Sequence, residues 1–145
     1  MNIEVFLTTW SKDGERLGAL RYEVFVIEQK VPEELEWDIH DADAVHFACT
    51  DRTGEKIIAT ARLVREGSVA VIGRLCVAKP YRGKKIASAI MHEALAYCRE
   101  HGLTQLELHA QLYLRPFYES LGFVARGQVY LEAGIEHITM TLSLI

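Results

Sequence analysis

Cysteine is scarce in this chain, and so is proline: three of each stand among 145 residues. Cys49, Cys76 and Cys98 are odd in number, far apart and free of CxxC pairs. That excludes a disulfide framework and a zinc ribbon, and points to a reducing compartment. Long apolar runs are missing too, since no segment approaches the ~20 apolar residues of a membrane span. Met1, Asn2, Ile3 and Glu4 open the chain without a basic lead, so a cytoplasmic location and no membrane partner are expected. Nor is there an excess of positive charge: 16 Lys and Arg against 20 Asp and Glu leave a net charge of −4, which disfavours nucleic acid as a partner. No repeat and no low-complexity segment interrupts the chain. What is present, 50% hydrophobic and 25% charged residues, is the balance of a globular domain. A chain of this length buries roughly two-thirds of its unfolded surface, and a single domain over residues 1–145 is expected.

The hydrophobic pattern alternates between two periods. Ile3 to Thr8 predicts a short strand, with Ser11 or Asp13 capping a helix whose inward stripe is Leu17, Leu20, Val24 and Phe25, continued by Arg21 and Glu28. Pro32 stops that helix, and an acidic loop runs to about Asp43. Val45–Thr50, Lys56–Val64 and Val69–Val77 read as strands joined by the glycine-containing turns at Gly54 and Gly67. Ile86, Ala87, Ile90, Met91, Ala94, Leu95 and Cys98 recur at helical spacing until Gly102. Leu106–Ala110, a short helix Leu114–Leu121, and strands Phe123–Tyr130 and Ile135–Leu142 complete the order β-α-β-β-β-α-β-α-β-β. That order implies a mixed α/β or α+β sheet with helices against its faces.

Charge is unevenly placed. Glu33, Glu34, Glu36, Asp38, Asp41 and Asp43 gather in the acidic loop, while Lys79, Arg82, Lys84 and Lys85 surround Gly83 between a strand and a helix. Each cluster is either a solvated loop or a ligand surface. The basic turn is the more informative, because a helix N-terminus leaves backbone N–H groups unpaired and positive, and so cradles phosphate oxygens. It is neither a P-loop nor a dinucleotide fingerprint, since Gly-Lys-Ser/Thr and GxGxxG are both missing.

The run from Arg82 to Ala87 resembles the pyrophosphate motif of the GNAT acetyltransferase superfamily, Arg/Gln-x-x-Gly-x-Gly/Ala. Arg82 and Ala87 match, whereas Lys85 stands where the family usually has glycine. Leu106-Glu107-Leu108-His109-Ala110-Gln111, followed by Phe117-Tyr118-Glu119-Ser120-Leu121-Gly122-Phe123, is similar to the second half of the same core, with Gln111 in place of a frequent Asn. Arg21, Val24 to Gln29, Glu36, Asp38, Asp41 and His46 resemble the ElaA-like subgroup. The resemblance implies a mixed, mostly antiparallel sheet of about seven strands flanked by helices, with one strand pair splayed for the cofactor. It also implies acetyl transfer from acetyl-CoA to a primary amine, by direct attack in a ternary complex and without a metal.

Residue roles follow from the same resemblance. Leu75, Cys76 and Val77 would meet the pantetheine arm through backbone groups, Arg82, Gly83, Lys84, Lys85, Ile86 and Ala87 the pyrophosphate, and Gln111 the cofactor from the opposite strand. Tyr118 is the family's general acid for the departing thiolate, or else a core tyrosine beside Phe117 and Phe123. Glu28 or His109 would serve as base. Glu28 is alternatively a structural partner of Arg21, and His109 alternatively packs. Arg21, Glu28, Arg74 and His109 are candidates for the acceptor side. Cys76 has no neighbouring base in the sequence and reads as a packed residue. His40, Asp38, Asp41 and His46 match no metal signature, so no metal is expected. The competing readings are a CoA-binding module without catalysis and a phosphate or nucleotide binder. The acceptor, a small-molecule or peptide amine, and the choice between monomer and homodimer are not fixed by these residues.

Overall fold

The computed structural model describes residues 4–145. The expected opening strand is Phe6–Thr8 (β1), and its predicted first residue, Ile3, lies outside the described residues. Thr9, rather than Ser11 or Asp13, caps helix α1 (Trp10–Arg21): its hydroxyl accepts the Lys12 amide at 3.2 Å. Asp13 is instead buried, accepting the Thr8 hydroxyl and the Arg16 guanidinium. Arg16 also donates to the Gly54 carbonyl at 2.7 Å, pinning α1 to a distant turn.

After Arg21 the helix widens into a π-helical stretch, Tyr22–Glu28, in which the Gln29 amide reaches back five residues to the Val24 carbonyl. The wider turn changes the phase of the stripe. Leu17, Leu20, Arg21, Val24 and Phe25 are buried as expected, but Glu28 emerges on the surface. The acidic loop contains one further turn of helix, Glu33–Glu36 (α2).

Strands β2 (Val45–Thr50), β3 (Ile57–Glu66) and β4 (Val69–Val77) form the expected meander. Helix α3 (Ile86–Glu100) crosses to β5 (Gln105–Gln111); α4 (Arg115–Ser120) precedes the hairpin of β6 (Val124–Glu132) and β7 (Ile135–Ser143). The sheet order is β1-β2-β3-β4-β5-β7-β6, antiparallel throughout except for the parallel pair β4–β5.

Alternation along the strands divides the sheet into two faces. Phe47, Ala61, Leu63, Ile72, Leu106, Leu108 and Met140 share one face, which α3 covers with Ile86, Ile90, Met91, Ala94, Leu95 and Cys98. Phe47 meets Tyr97 of α3 edge-on at 5.9 Å between ring centroids. Each large side chain buried there contributes about 1.5–3 kcal/mol relative to exposure. The second face carries His46 and Arg62 beneath α1 and α2, and Glu107, His109, Thr139 and Thr141 at the other end. There His109 is exposed and the other three are half-buried.

Candidate active site

The parallel pair β4–β5 is short. Its register runs from Val69 opposite Gln105 to Ile72 opposite Leu108 and then stops. On β4 the next residues form a bulge: Gly73 faces Arg62 and Cys76 faces Thr60, so β4 has one residue more than β3 across this step. Arg74 sits in the bulge with a φ of 55°. Beyond it the strands part, leaving Leu75, Cys76 and Val77 on one side and His109, Ala110 and Gln111 on the other. The Ala78 amide donates to the Ile58 carbonyl of β3 at 2.8 Å. Peptide groups alternate along a strand, so the N–H groups of Val77 and Leu75 point away from β3 and into the gap.

The basic turn lies at the mouth of this gap. Gly83 has a φ of 78° and Lys85 a φ of 62°, and Lys85 is the N-cap of α3 without contributing a side-chain cap. The first amide of the helix to bond within it is that of Ala89, to the Lys85 carbonyl. The amides from Gly83 to Ser88 therefore converge without a protein acceptor among the described residues. A Cβ at Gly83 would meet nothing within 4 Å, so the turn is open as well as donor-rich. These are the properties a diphosphate requires. Lys85 carries the left-handed conformation that glycine adopts without strain, which accounts for the glycine of the family motif at this position.

Arg82 is exposed, yet its side chain is held by the protein on both sides. Its Nε donates to the Val77 carbonyl at 2.9 Å, and its two terminal nitrogens grip the Glu28 carboxylate at 2.5 and 2.7 Å. That contact corrects the expected Arg21–Glu28 pair: the π-helical turn carries Glu28 off the inward stripe and delivers it to Arg82. The Arg82 hydrogen bonds hold the Glu28 carboxyl below the usual range, against a smaller effect of burial. Gln111 reaches the same region and donates to the Gln29 side chain at 2.8 Å.

Arg21 has other partners. It is 1% exposed, with its Nε 2.6 Å from Glu36 and its Nη1 2.7 Å from Asp41. Trp10 and Trp37 flank the guanidinium at 5.3 and 5.5 Å. Arg62 bonds Asp38 and Asp41, and Arg74 approaches Glu36 and Asp38 while donating to the Leu35 and Glu36 carbonyls. The Arg74 Nε lies 3.2 Å from Glu36 without hydrogen-bond alignment. Three arginines and three carboxylates thus bind α1, the acidic loop, β3 and the β4 bulge into one lattice. Burial pushes the Asp38 carboxyl up, but Arg62 and the His40 amide outweigh it and hold the group at about 2. The His46 ring bonds the Asp41 carbonyl at 3.0 Å, and burial lowers its pKa. Of the acidic residues in this loop, Glu36, Asp38 and Asp41 are taken up by arginines, while Glu33 accepts from the Trp37 indole. Arg62 and Arg74 were not read as their partners because strand pairing, not sequence spacing, brings them there.

Tyr118 on α4 is 6% exposed and packs edge-on against Phe117 and Phe123. Burial raises its pKa strongly, with no hydrogen bond opposing the effect, so the phenol keeps its proton. Burial likewise pushes the Cys76 thiol far up, consistent with a packed residue. His109 is the first residue of β5 beyond the parting, with its Nε2 3.2 Å from the Glu107 carboxylate. Two residues that the sequence reading passed over share this face, Tyr130 on β6 and His137 on β7. The alternation His137, Thr139, Thr141 carries the signal, but it points to a site only once β7 is known to lie beside β5.

Residues 7–144 match the family described as acetyltransferase (GNAT) domain. Protein ElaA of Escherichia coli (strain K12) is 34% identical over 131 residues, spanning 87% of this chain and 84% of that protein. The crystal structure of Escherichia coli ElaA superposes with a TM-score of 0.86 at 31% identity, over 97% of this chain and 99% of that one. An acyl-CoA N-acyltransferase from Pseudomonas aeruginosa has the same TM-score at 32% identity and the same coverage. No helix among the described residues is long and apolar enough to cross a membrane. The chain belongs to the GNAT acetyltransferase family, in its ElaA-like subgroup, and the reaction class of that family is acyl transfer from an acyl-CoA donor.

Proposed function

We propose that this protein is an N-acetyltransferase that moves an acetyl group from acetyl-CoA to a primary amine by direct attack. The observation that carries the reading is the continuity of the gap with the turn: inward N–H groups on β4 lead to the uncapped start of α3. A thioester arm fits the first and a diphosphate the second. In this reading Leu75, Cys76 and Val77 offer backbone groups to the arm, Gly83, Lys84, Lys85, Ile86 and Ala87 hold the diphosphate, and Gln111 closes the opposite strand. Arg82 fixes the turn to β4 and to Glu28.

Acetyl-CoA supplies the acyl group: the amine nitrogen bonds the carbonyl carbon as the C–S bond breaks, giving an amide and free thiol. His109 takes the proton that the amine must lose. It is preferred to Glu28 because the Glu28 carboxylate is already gripped by Arg82. Tyr118 donates a hydrogen bond to the departing sulfur as it gains negative charge, and the thiolate is then protonated from solvent. The raised pKa of the phenol keeps that donor protonated at neutral pH.

The experiment is a panel of primary amines with acetyl-CoA, following thiol release and identifying the product by mass spectrometry. Acetylated amine with stoichiometric thiol is the expected result. Tight CoA binding with no acetylated product from any amine would replace this reading with that of a CoA-binding module.

A further inference from the structure

Five side chains stand in a row on the open half of the second face, running from the β6–β7 hairpin to the crotch of the gap. Glu132 lies 3.5 Å from the Nε2 of His137, the His137 ring stacks on Tyr130 at 6.0 Å, Tyr130 meets His109 edge-on at 6.3 Å, and His109 contacts Glu107 at 3.2 Å. The order is Glu-His-Tyr-His-Glu, assembled from three strands. A bulge in β6 produces it: Gly127, Gln128 and Val129 stand against the single residue Ile138, so that Tyr130 falls opposite His137. Bulges of this kind re-aim side chains beside active sites. The His137 Nδ1 is occupied by the Ile135 carbonyl at 2.7 Å, which leaves Nε2 facing Glu132. The Tyr130 hydroxyl is buried, which raises its pKa, and the Thr139 side chain beside it opposes that larger effect.

The two carboxylates differ from those across the sheet. Glu28, Glu36, Asp38 and Asp41 are all paired with arginine, whereas Glu107 and Glu132 meet only histidine among the described residues. The cation that shares their face, Arg126, is turned to the Thr141 hydroxyl at 3.1 Å. The row therefore offers two carboxylates without a permanent countercharge and an aromatic face between them. Those are the elements that recognise an ammonium group.

Resting on the amine-acyltransferase reading, we propose that Glu132, His137, Tyr130, His109 and Glu107 form the acceptor subsite, and that the acceptor is a primary amine bearing a second cationic group. The reacting nitrogen lies at His109, the residue at the parting of β4 and β5, with Glu107 orienting the imidazole. The second ammonium lies across Tyr130, against Glu132. His109 is here a catalytic residue, while Glu107 positions it and Glu132 sets specificity.

The test compares kcat/KM per amino group for 1,4-diaminobutane and 1,8-diaminooctane with n-butylamine and n-octylamine, using the full chain and acetyl-CoA. At least one diamine should exceed its length-matched monoamine by roughly twofold to fivefold at low salt, the size of a half-exposed ion pair. Glu132→Gln should bring that ratio to about one, and Glu93→Gln on the far side of α3 should leave it in place. A second readout needs no turnover: with CoA bound, the diamine should shift the ring resonances of His109 and His137 more than the monoamine does. Equal kcat/KM per amino group for diamine and monoamine, or a ratio that survives Glu132→Gln, overturns the subsite while leaving amine acetylation intact. No acetylated amine at all, with CoA bound, overturns both proposals.

Discussion

The two halves of the second sheet face carry charge in opposite ways. Under α1 and α2, Arg21, Arg62 and Arg74 are neutralised by Glu36, Asp38 and Asp41 at 2.6–3.4 Å, and the cluster is closed. Across β5, β6 and β7, Glu107 and Glu132 have only histidine partners among the described residues, and the strands lie open. Charges that satisfy one another hold a structure together; charges left unsatisfied at a surface are available to a ligand. The lattice also reaches the site mechanically. Arg74 occupies the β4 bulge, so the contacts that fix the acidic loop fix the point where β4 and β5 part.

The largest effect is expected on the closed side. Arg21→Met leaves Glu36 and Asp41 buried with one cation fewer, and removal of one partner from a buried ion cluster costs ~3–5 kcal/mol. Against a total stability of about 5–15 kcal/mol this brings the fold near its limit. Urea unfolding measures it, and a loss under about 1 kcal/mol would show that the lattice does not hold the fold. Acid should act on the same lattice. Asp38 has a folded pKa held at about 2, below the unfolded value of about 3.9. A depressed folded pKa gives stability that is complete above the unfolded value and lost as pH falls through the folded one, here from about 4 to about 2. The thermal midpoint should drop across that window, and by less in Arg62→Met.

Smaller in free energy, and confined to the chemistry, is Tyr118→Phe. The ring still packs on Phe117 and Phe123, so the thermal midpoint and CoA affinity should hold. A donor to the leaving group contributes within the ~10²–10⁴-fold of general acid catalysis, and a thiolate is already a fair leaving group, so kcat should fall about a hundredfold. A wild-type kcat would remove the phenol from the mechanism and leave Tyr118 as a core residue.

How far the sequence disclosed this arrangement depends on the range of the interaction involved. Period and turn residues are local, and they placed β4 at Val69–Val77 and the start of α3 at Ile86 without error. The basic turn was legible for the same reason, since strand, glycine and helix are consecutive. Glu28 was misplaced because a π-helical turn shifts phase without a marker in composition. The Arg62 and Arg74 contacts and the Glu-His-Tyr-His-Glu row arise from strands paired across the sheet. No local spacing records that β7 separates β5 from β6.

Lys84 and Lys85 extend the comparison to the basic turn, where both are exposed and neither forms an ion pair among the described residues. Lys85→Gly isolates what the second of them does. The left-handed conformation at a φ of 62° costs a non-glycine residue roughly 1–2 kcal/mol, and glycine relieves that strain. Glycine also loses more backbone entropy on folding, about 0.5–1 kcal/mol. The relief is the larger of the two, so stability should rise by no more than about 1.5 kcal/mol. CoA binding loses one screened charge while the converging amides remain, which predicts a roughly twofold to fivefold weaker Kd at low salt. At high salt the wild-type and variant affinities should coincide, because screening already removes the lysine's contribution. A Kd that weakens equally at both salt concentrations would mean that the side chain shapes the turn and does not act through its charge. An unchanged Kd at low salt would leave the backbone amides as the whole of the diphosphate site.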